Sequence, residues 1–553
     1  MSKTILSLIL YFIVVGCIKC DYYSSISGLE TLLRVENHYM WAIGKHLVEV
    51  ERLQTELDRL IDELDTEYEK RQQSSEFYYD YPVNAFKAIN RIAADWQEVF
   101  KLTRQIENLT IYNESSHIPE DAVTLPTDED LRGAARGLSR LQQLYKLDIT
   151  NITDGYLRDR KYSSEMSAFN CYVLGKSLYE SEEYLTASEW LIEALEKSEK
   201  ENEKSNNAKA FDDSNINGGD IENTTDGIFP YVSIAEILEF LAPALFYAGK
   251  HELALAVNSK LLSLEPDNSI GLSNRDLITA ETKIKRRTSF IEAKYDKSEI
   301  QDLYEQTCSG EFEQRIAEKS QLHCHFTTKN VPYYLLGPLK MEELNTDPFV
   351  AVYHDVIYDK EIKEIIARSK SDIERSTIGS EDNSDINEVR ISKNSWLAYD
   401  SALMAKISQR VADITGLSMN MSEDMQVANY GIGGYYGTHY DFSENPEEDN
   451  PDDGNRILTA MFYLNDVDLG GATAFPHLRL AVPPIKHSLV VWYNLHRSLE
   501  PDFRTAHAGC PVLKGSKWIG NIWFHAVGQE LIRPCDLKPD HDISKPHMAM
   551  GVD

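Results

Sequence analysis

Tyr430-Gly-Ile-Gly-Gly-Tyr-Tyr-Gly-Thr-His-Tyr-Asp-Phe442, residues 430–442, is the stretch on which the reading of this chain turns. On a strand, side chains at i and i+2 share a face. His439 and Asp441 therefore point one way, and Tyr440 and Phe442 the other. One imidazole beside one carboxylate supplies two ligands of a 2-His-1-carboxylate facial triad, the ligand set of non-haem Fe(II) oxygenases. The third ligand must be a distant histidine. His507 is the best candidate, in Arg504-Thr-Ala-His-Ala-Gly-Cys-Pro-Val-Leu-Lys-Gly-Ser-Lys-Trp518. His-x-Asp alone is a weak signal, because chance produces it and a lone histidine is usually structural. Lys517, ten residues beyond His507, sharpens it. A triad leaves three metal positions open. 2-Oxoglutarate would fill two of them, leaving one for O2, and its far C5 carboxylate would then need a cation. A lysine meets that need as a point charge. The alternative for Lys517 is a solvated edge position, which its neighbours Trp518, Ile519, Ile522 and Trp523 disfavour.

Working outward, the texture from about residue 335 is short β-branched and aromatic runs between Gly, Pro and Asp clusters. Val427–Tyr430, Ile457–Leu464, Leu489–Tyr493 and Trp518–Phe524 read as strands, with helices over Lys360–Ser369 and Ser401–Thr415. A double-sheet jelly roll is the natural fold class. The acidic run Glu444–Asp453 reads as a solvated loop.

The region before it is helical. Ile43, Val50, Leu57 and Leu64 recur every seven residues with Leu53 and Leu60 between them, an a/d seam broken by His46. A coiled-coil contact between chains and an ordinary packed helix fit that pattern equally. Asn84–Phe100 and Asp128–Leu147 are further amphipathic helices. Over 166–197 and 232–283 the pattern resembles two tetratricopeptide-like helix pairs, too few to stand without capping neighbours. Between them Ser198–Gly227 is polar and almost free of large apolar residues, and is expected to be disordered.

The whole chain has 553 residues, 42% hydrophobic and 26% charged, as in multidomain globular proteins. A net charge of -33 argues against a nucleic-acid partner, whose phosphates need a basic surface. Lys3 followed by the apolar run Ile5–Val15 reads as a secretory signal cleaved near Cys20, too short to span a bilayer. Five sequons, at Asn108, Asn113, Asn151, Asn223 and Asn420, agree with a lumenal address. In an oxidising compartment, Cys308 with Cys324 and Cys510 with Cys535 would close modest loops, leaving Cys171 as a buried thiol.

These motifs carry a resemblance. Gln426-Val-Ala-Asn-Tyr-Gly-Ile-Gly-Gly, His439-Tyr-Asp-Phe, Asn455-Arg-Ile, Phe462-Tyr-Leu, Gly470-Gly-Ala-Thr-Ala-Phe-Pro, Val491-Trp-Tyr-Asn and His507 through Trp518 strongly resemble the catalytic domain of collagen-type prolyl 4-hydroxylase alpha subunits. Upstream, Pro82-Val-Asn-Ala-Phe-Lys and Asp128-Glu-Asp with Leu138-x-x-Leu141-Gln resemble that family's amino-terminal region. The resemblance implies iron at His439, Asp441 and His507. It implies the 2-oxoglutarate C5 carboxylate at Lys517, with the Tyr430 hydroxyl as a second donor and Thr473 lining the pocket. Tyr436, Arg456, Trp523 and His525 match positions at the peptide site of related enzymes, though packing or surface roles fit them equally. The two disulfides just given match the family's.

The expected layout is a signal at 1–20, a helical dimerisation region at 21–150, and a peptide-binding helical domain at 155–285 with its insertion at 198–227. A linker at 286–335, an oxygenase domain at 336–540 and a tail at 541–553 complete it. One departure stands out. The family lines its peptide groove with tyrosines, whereas the helix expected here offers Phe240, Pro243 and Phe246 with Tyr247 nearby. Pro243 should also bend that helix. The resemblance further implies ascorbate as rescuing reductant, a protein disulfide isomerase beta subunit and an α2β2 tetramer in the endoplasmic reticulum lumen. The chain ends Gly551-Val-Asp553 with no retention tetrapeptide, which retention through such a partner would explain. Two rivals remain: the same chemistry on a non-collagen proline-containing secreted protein, and a non-catalytic peptide-binding adaptor.

Overall fold

In this computed structural model the residues described are 26–72, 96–107, 128–157, 159–161, 165–212, 232–285, 299–376, 390–443 and 453–536. The expected signal, the tail, residues 84–95, the acidic loop over 444–452 and the sequons at Asn108, Asn113 and Asn223 lie outside them. Asn151 and Asn420 are exposed. The chain forms two units, one within residues 27–125 and one from 126 onward. No described helix is long and apolar enough to cross a membrane.

The first unit is built on α1 (Ile26–Gln72), with α2 (Trp96–Glu107). Along α1, Leu53 is buried, while Val50, Leu57 and Leu60 are half-buried. Toward its start the apolar residues Leu33, Met40, Trp41, Ile43, Leu47 and Val48 are exposed.

The second unit begins with α3 (Asp128–Leu144). Two helical hairpins follow: α4 (Ala168–Glu180) with α5 (Tyr184–Asp212), and α6 (Ile234–Tyr247) with α7 (His251–Leu264), then α8 (Ser269–Lys285). Ser167 with Asn170 and Ser233 with Glu236 form capping boxes that start α4 and α6, satisfying amides that the first turn leaves open. Leu178, Trp190, Leu191, Ile237, Leu238, Leu241 and Leu261 form the core of this layer. Cys171 is buried within it, and burial pushes its thiol up to about 12, so it is an inert core residue. One expectation needs correction here. The insertion is not disordered from Ser198, because α5 continues through Asp212. Its Glu, Lys and Ala residues are good helix formers that extend an already nucleated helix. Pro243 lies inside α6, whose helical assignment continues across it.

The β region contains a nine-stranded antiparallel sheet. Its strands are β1 (Cys324–Thr327), β2 (Leu339–Thr346), β3 (Phe349–His354), β4 (Glu374–Arg375), β5 (Lys393–Leu397), β6 (Met425–Tyr430), β8 (Arg456–Tyr463), β11 (Leu489–Tyr493) and β13 (Lys517–His525). Their spatial order is β1-β2-β3-β11-β8-β13-β6-β5-β4. A smaller sheet of β7 (Tyr436–His439), β9 (Thr473–Phe475), β10 (Leu480–Val482) and β12 (His507–Gly509) has the order β10-β9-β12-β7. Val352, Tyr463, Trp492 and Ile519 of the large sheet pack with Phe475, Leu480 and Val482 of the small one. That is the jelly-roll sandwich. On its outer face, the large sheet packs on Ile362 and Ile365 of α10 (Asp359–Ser369) and on Met404, Ile407, Val411 and Ile414 of α11 (Ala402–Thr415). Residues 286–335 are more than a linker. Their described part supplies α9 (Glu299–Ser309) and edge strand β1.

The disulfide expectation also needs correction. Cys308 of α9 bonds Cys510, just past β12, with Cα atoms 5.6 Å apart. Cys324 and Cys535 are exposed thiols. The reason is topological. Helix α9 packs beside the small sheet, so its cysteine meets the end of β12, while Cys324 lies on the far edge of the large sheet.

Gly175 shows how tightly the first hairpin closes. A Cβ there would lie 2.7 Å from Leu191 Cγ. Gly175→Ala is expected to lower stability by about 1–3 kcal/mol through overpacking, despite alanine's better helix propensity. Urea denaturation followed by circular dichroism measures this, and an unchanged midpoint would contradict it.

Candidate active site

Strand pairing builds the site. In the β7–β12 ladder His439 lies opposite His507. Asp441 sits just beyond the end of β7, so the His-x-Asp pair straddles a strand end instead of lying within a strand. The ligand atoms of His439, Asp441 and His507 all fall within 4.8 Å of one another. His439 Nε2 is 3.6 Å from Asp441 Oδ1, and His507 Nε2 is 3.5 Å from Oδ2.

Both imidazoles are oriented by backbone. His439 Nδ1 donates to the Gly437 carbonyl at 2.9 Å and His507 Nδ1 to that of Thr505 at 3.1 Å. Each Nε2 lone pair is thereby left facing Asp441, as metal-binding histidines require. Burial, followed by the neighbouring His507, pushes His439 down to about 3. Burial alone would raise Asp441, yet His507, His439 and the Thr459 hydroxyl hold it below its usual value. Neutral imidazole beside carboxylate anion is the state that accepts a divalent cation. The three side chains therefore fit the Fe(II) that the triad implies.

Behind the triad lies a cavity of about 270 Å³. Lys517 closes it, only 2% exposed, at the start of β13 and opposite Tyr430 of β6. Its Nζ is 3.3 Å from Thr473 Oγ1 and lies 5.7 and 5.5 Å from the Tyr430 and Tyr463 ring centres. Among the described residues no carboxylate pairs with it. Burial pushes the amine down to about 7. A buried cation is expensive to leave unpaired, so this end of the cavity is built for an anion.

The mouth carries the residues expected near a peptide. Tyr436 stacks on His439, with ring centres 3.6 Å apart. Arg456 spans Glu423 with two bonds of 2.5 and 2.9 Å, reaches the Asp441 carbonyl at 3.3 Å, and lies 4.3 Å over the Trp523 ring. His525 bonds Glu423 at 3.0 Å and does not itself line the cavity. Burial would raise Glu423, but His525 and Arg456 hold it low. Arg390, Glu423, Thr459, Tyr463 and Asn494 were missed by the sequence reading. Only Tyr463 and Asn494 fall within quoted motifs, because polar side chains brought in from separate strands leave no local pattern.

The helical layer presents a second feature. Phe169, Tyr172, Phe240, Tyr179, Tyr184 and Tyr247 form a continuous row, with successive ring centres 6.5, 6.0, 5.7, 5.5 and 4.7 Å apart. Hydroxyl-bearing rings Tyr172 and Tyr179 of α4 and Tyr184 of α5 join Tyr247 at the end of α6. Phe246, expected on this surface, is instead buried in the core, while Phe240 and Tyr247 lie in the row. Helix α3 joins this layer to the site. Its Arg140 donates to the Gly433 carbonyl at 3.2 Å and lies 4.1 Å over the Tyr435 ring. Tyr145, just past its end, donates to the Pro511 carbonyl at 2.7 Å. Gly433 (φ +72°) packs against Gly137 of α3, where a Cβ would come within 3.1 Å of backbone.

Comparison with known proteins agrees with this geometry. Residues 25–159 match the family model of the prolyl 4-hydroxylase alpha-subunit N-terminal region, and residues 425–525 match that of the 2OG-Fe(II) oxygenase superfamily. The chain is 32% identical to prolyl 4-hydroxylase subunit alpha-2 of Gallus gallus, covering 94% of this chain and 95% of that one. It is 32% identical to subunit alpha-1 of Homo sapiens, covering 93% and 96%. It is 30% identical to subunit alpha-2 of Caenorhabditis elegans, covering 97% of each.

A carboxylate bound at Lys517 needs the lysine charged. Below about pH 7 the amine is already protonated and 2-oxoglutarate affinity should be flat. Above it, affinity should fall about tenfold per pH unit until the pKa of the bound state is reached, with uptake of a proton on binding. Calorimetry in buffers of different ionisation enthalpy measures both. Affinity independent of pH between about 6 and 9 would remove the lysine from this role.

Proposed function

This chain belongs to the prolyl 4-hydroxylase alpha-subunit family, and from that premise we propose that it hydroxylates C4 of proline in proline-rich, collagen-like peptides. It uses O2 and 2-oxoglutarate and releases succinate and CO2. The observation that carries the reading is a buried, carboxylate-free lysine in the same cavity as a His-Asp-His cluster.

In this reading His439, Asp441 and His507 would hold Fe(II), which would supply the redox centre at which 2-oxoglutarate and the proline C–H each give two electrons to O2. Lys517 pairs with the C5 carboxylate, and Tyr430 and Thr473 line its path. Tyr436, Arg456 and Trp523 position the proline at the mouth, with His525 and Glu423 bracing Arg456. Trp396, 5.9 Å from Trp523, widens that aromatic wall. Keeping bulk water from this enclosed pocket would protect the reacting centre. Ascorbate serves as the rescuing reductant.

The aromatic row on α4, α5 and α6 forms the docking surface of a tetratricopeptide-like peptide-binding domain. A polyproline II helix has solvated carbonyls and flat ring faces, which suit tyrosine hydroxyls and stacking. The exposed apolar start of α1 is the surface that contact between chains would use. A protein disulfide isomerase beta subunit, an α2β2 assembly and the lumen of the endoplasmic reticulum complete the reading.

Full-length chain supplied with Fe(II), ascorbate and 2-oxoglutarate tests the activity. Succinate release should rise with a (Pro-Pro-Gly)-type peptide, and mass spectrometry should find 4-hydroxyproline. Iron binding without stimulation by any of a panel of proline-rich peptides would overturn the collagen-like assignment. No iron binding by folded protein would favour the adaptor. For the docking row, Tyr179→Ala and Tyr184→Ala should raise KM for long peptides severalfold, each lost aromatic contact being worth about 0.5–1.5 kcal/mol. The kcat should stay unchanged, and a fall in kcat at constant KM would place these rings elsewhere in the reaction.

A further inference from the structure

The Asp441 carboxylate is held by buried groups to which the reading above gives no part. Its Oδ2 lies 2.6 Å from Thr459 Oγ1, and that hydroxyl lies 2.9 Å from Asn494 Nδ2. Asn494, Thr459 and Asp441 are 0, 1 and 7% exposed. Chemistry fixes the direction of the chain. An ionised carboxylate only accepts, so the single Thr459 proton points at Oδ2. The Thr459 oxygen must then accept from Asn494, whose amide nitrogen only donates. Asn494 is itself pinned at both backbone groups. Its N–H donates to Ile457 at 2.9 Å, and its carbonyl accepts from Asp502 at 3.1 Å. Thr459 lies on central strand β8, opposite Trp492 on one side and Trp523 on the other.

We infer that Thr459, oriented by Asn494, is a positioning residue that keeps Asp441 a one-oxygen ligand, so that three metal positions stay open. The inference rests on the metal reading above. Two imidazoles and a chelating carboxylate fill four of six positions. Two-point binding of 2-oxoglutarate would then leave none for O2. A hydroxyl-to-carboxylate bond is short and charge-assisted. It engages Oδ2 and fixes the carboxylate plane, leaving Oδ1 as the oxygen that Thr459 does not tie.

The test compares three variants of the full-length chain. Thr459→Val keeps the shape and loses the donor. Thr459→Ser keeps the donor and loses a methyl. Asn494→Ala removes the donor behind Thr459 and leaves β8 intact. Co(II), an oxidation-resistant stand-in for Fe(II), is titrated and followed by its visible absorption. 2-Oxoglutarate is then titrated into the Co(II) protein. In Thr459→Val the Co(II) Kd should rise about 10- to 100-fold, the usual effect of losing a group that orients a metal ligand. Its absorption intensity should change with coordination number, and 2-oxoglutarate should bind more weakly. Thr459→Ser should stay near the parent, with Asn494→Ala between the two. A purely packing role predicts the reverse order, with serine worse than valine, and would overturn the inference. So would parent-like binding in both Thr459→Val and Asn494→Ala, and the latter alone decides if the valine variant does not fold. His439→Ala is the control: if it keeps Co(II), the metal reading itself fails and not merely the role of Thr459.

Discussion

The pairing of His439 with His507 across β7 and β12 is the constraint on which the site depends. These residues are 68 positions apart in the chain, and the small sheet brings them face to face. A one-residue slip in that ladder would turn one imidazole to the opposite face. Much of the surrounding structure makes such a slip costly. Tyr436 stacks on one histidine, while Phe475 and Trp492 pack on the other. Backbone carbonyls fix both ring orientations. The nine-stranded sheet provides the rigid floor against which this register is set.

Electrostatics divide the cavity into two ends. At the triad, burial keeps His439 neutral while two histidines and a hydroxyl keep Asp441 ionised. At the other end, Lys517 stands among phenol rings and a threonine, with no carboxylate beside it among the described residues. The two ends are complementary to a small dianion whose one terminus chelates a metal and whose other terminus needs a cation. The mouth is arranged differently, with Arg456 already compensated by Glu423. That leaves its planar face on Trp523 to offer shape, not charge, to whatever enters.

Sequence spacing made the centre legible and left its surroundings obscure. His439 and Asp441 declared themselves through their i, i+2 spacing, Lys517 through the apolar run that follows it, and His507 as the distant histidine the ligand set required. The aromatic row stayed hidden because its rings come from three helices, at spacings that also describe an ordinary core. Phe246 misled for the same reason, since nothing local distinguishes a buried face of α6 from its groove face. Cysteine spacing gave loop lengths but not proximity, and the packing of α9 against the small sheet redirected the bond to Cys308–Cys510. Low apolar content after Lys197 suggested disorder, where a packed helix instead carried a charged extension through Asp212.

Helix α3 has one more consequence. Through Arg140 and Gly137 it grips the turn that feeds β7, and Tyr145 just past its end reaches the turn that leaves β12. On its other side Ser139, Gln142 and Gln143 bond Glu183, Glu189, Trp190 and Thr186 of the helical hairpins. Leu144 shares a small apolar cluster with Tyr304 and Ala508, the residue after His507. The turns that flank the two histidine-bearing strands are therefore braced by a helix that lies outside residues 425–525, the span matched by the oxygenase family. Cutting the chain ahead of the β region would strip a keystone from both metal-bearing strands at once.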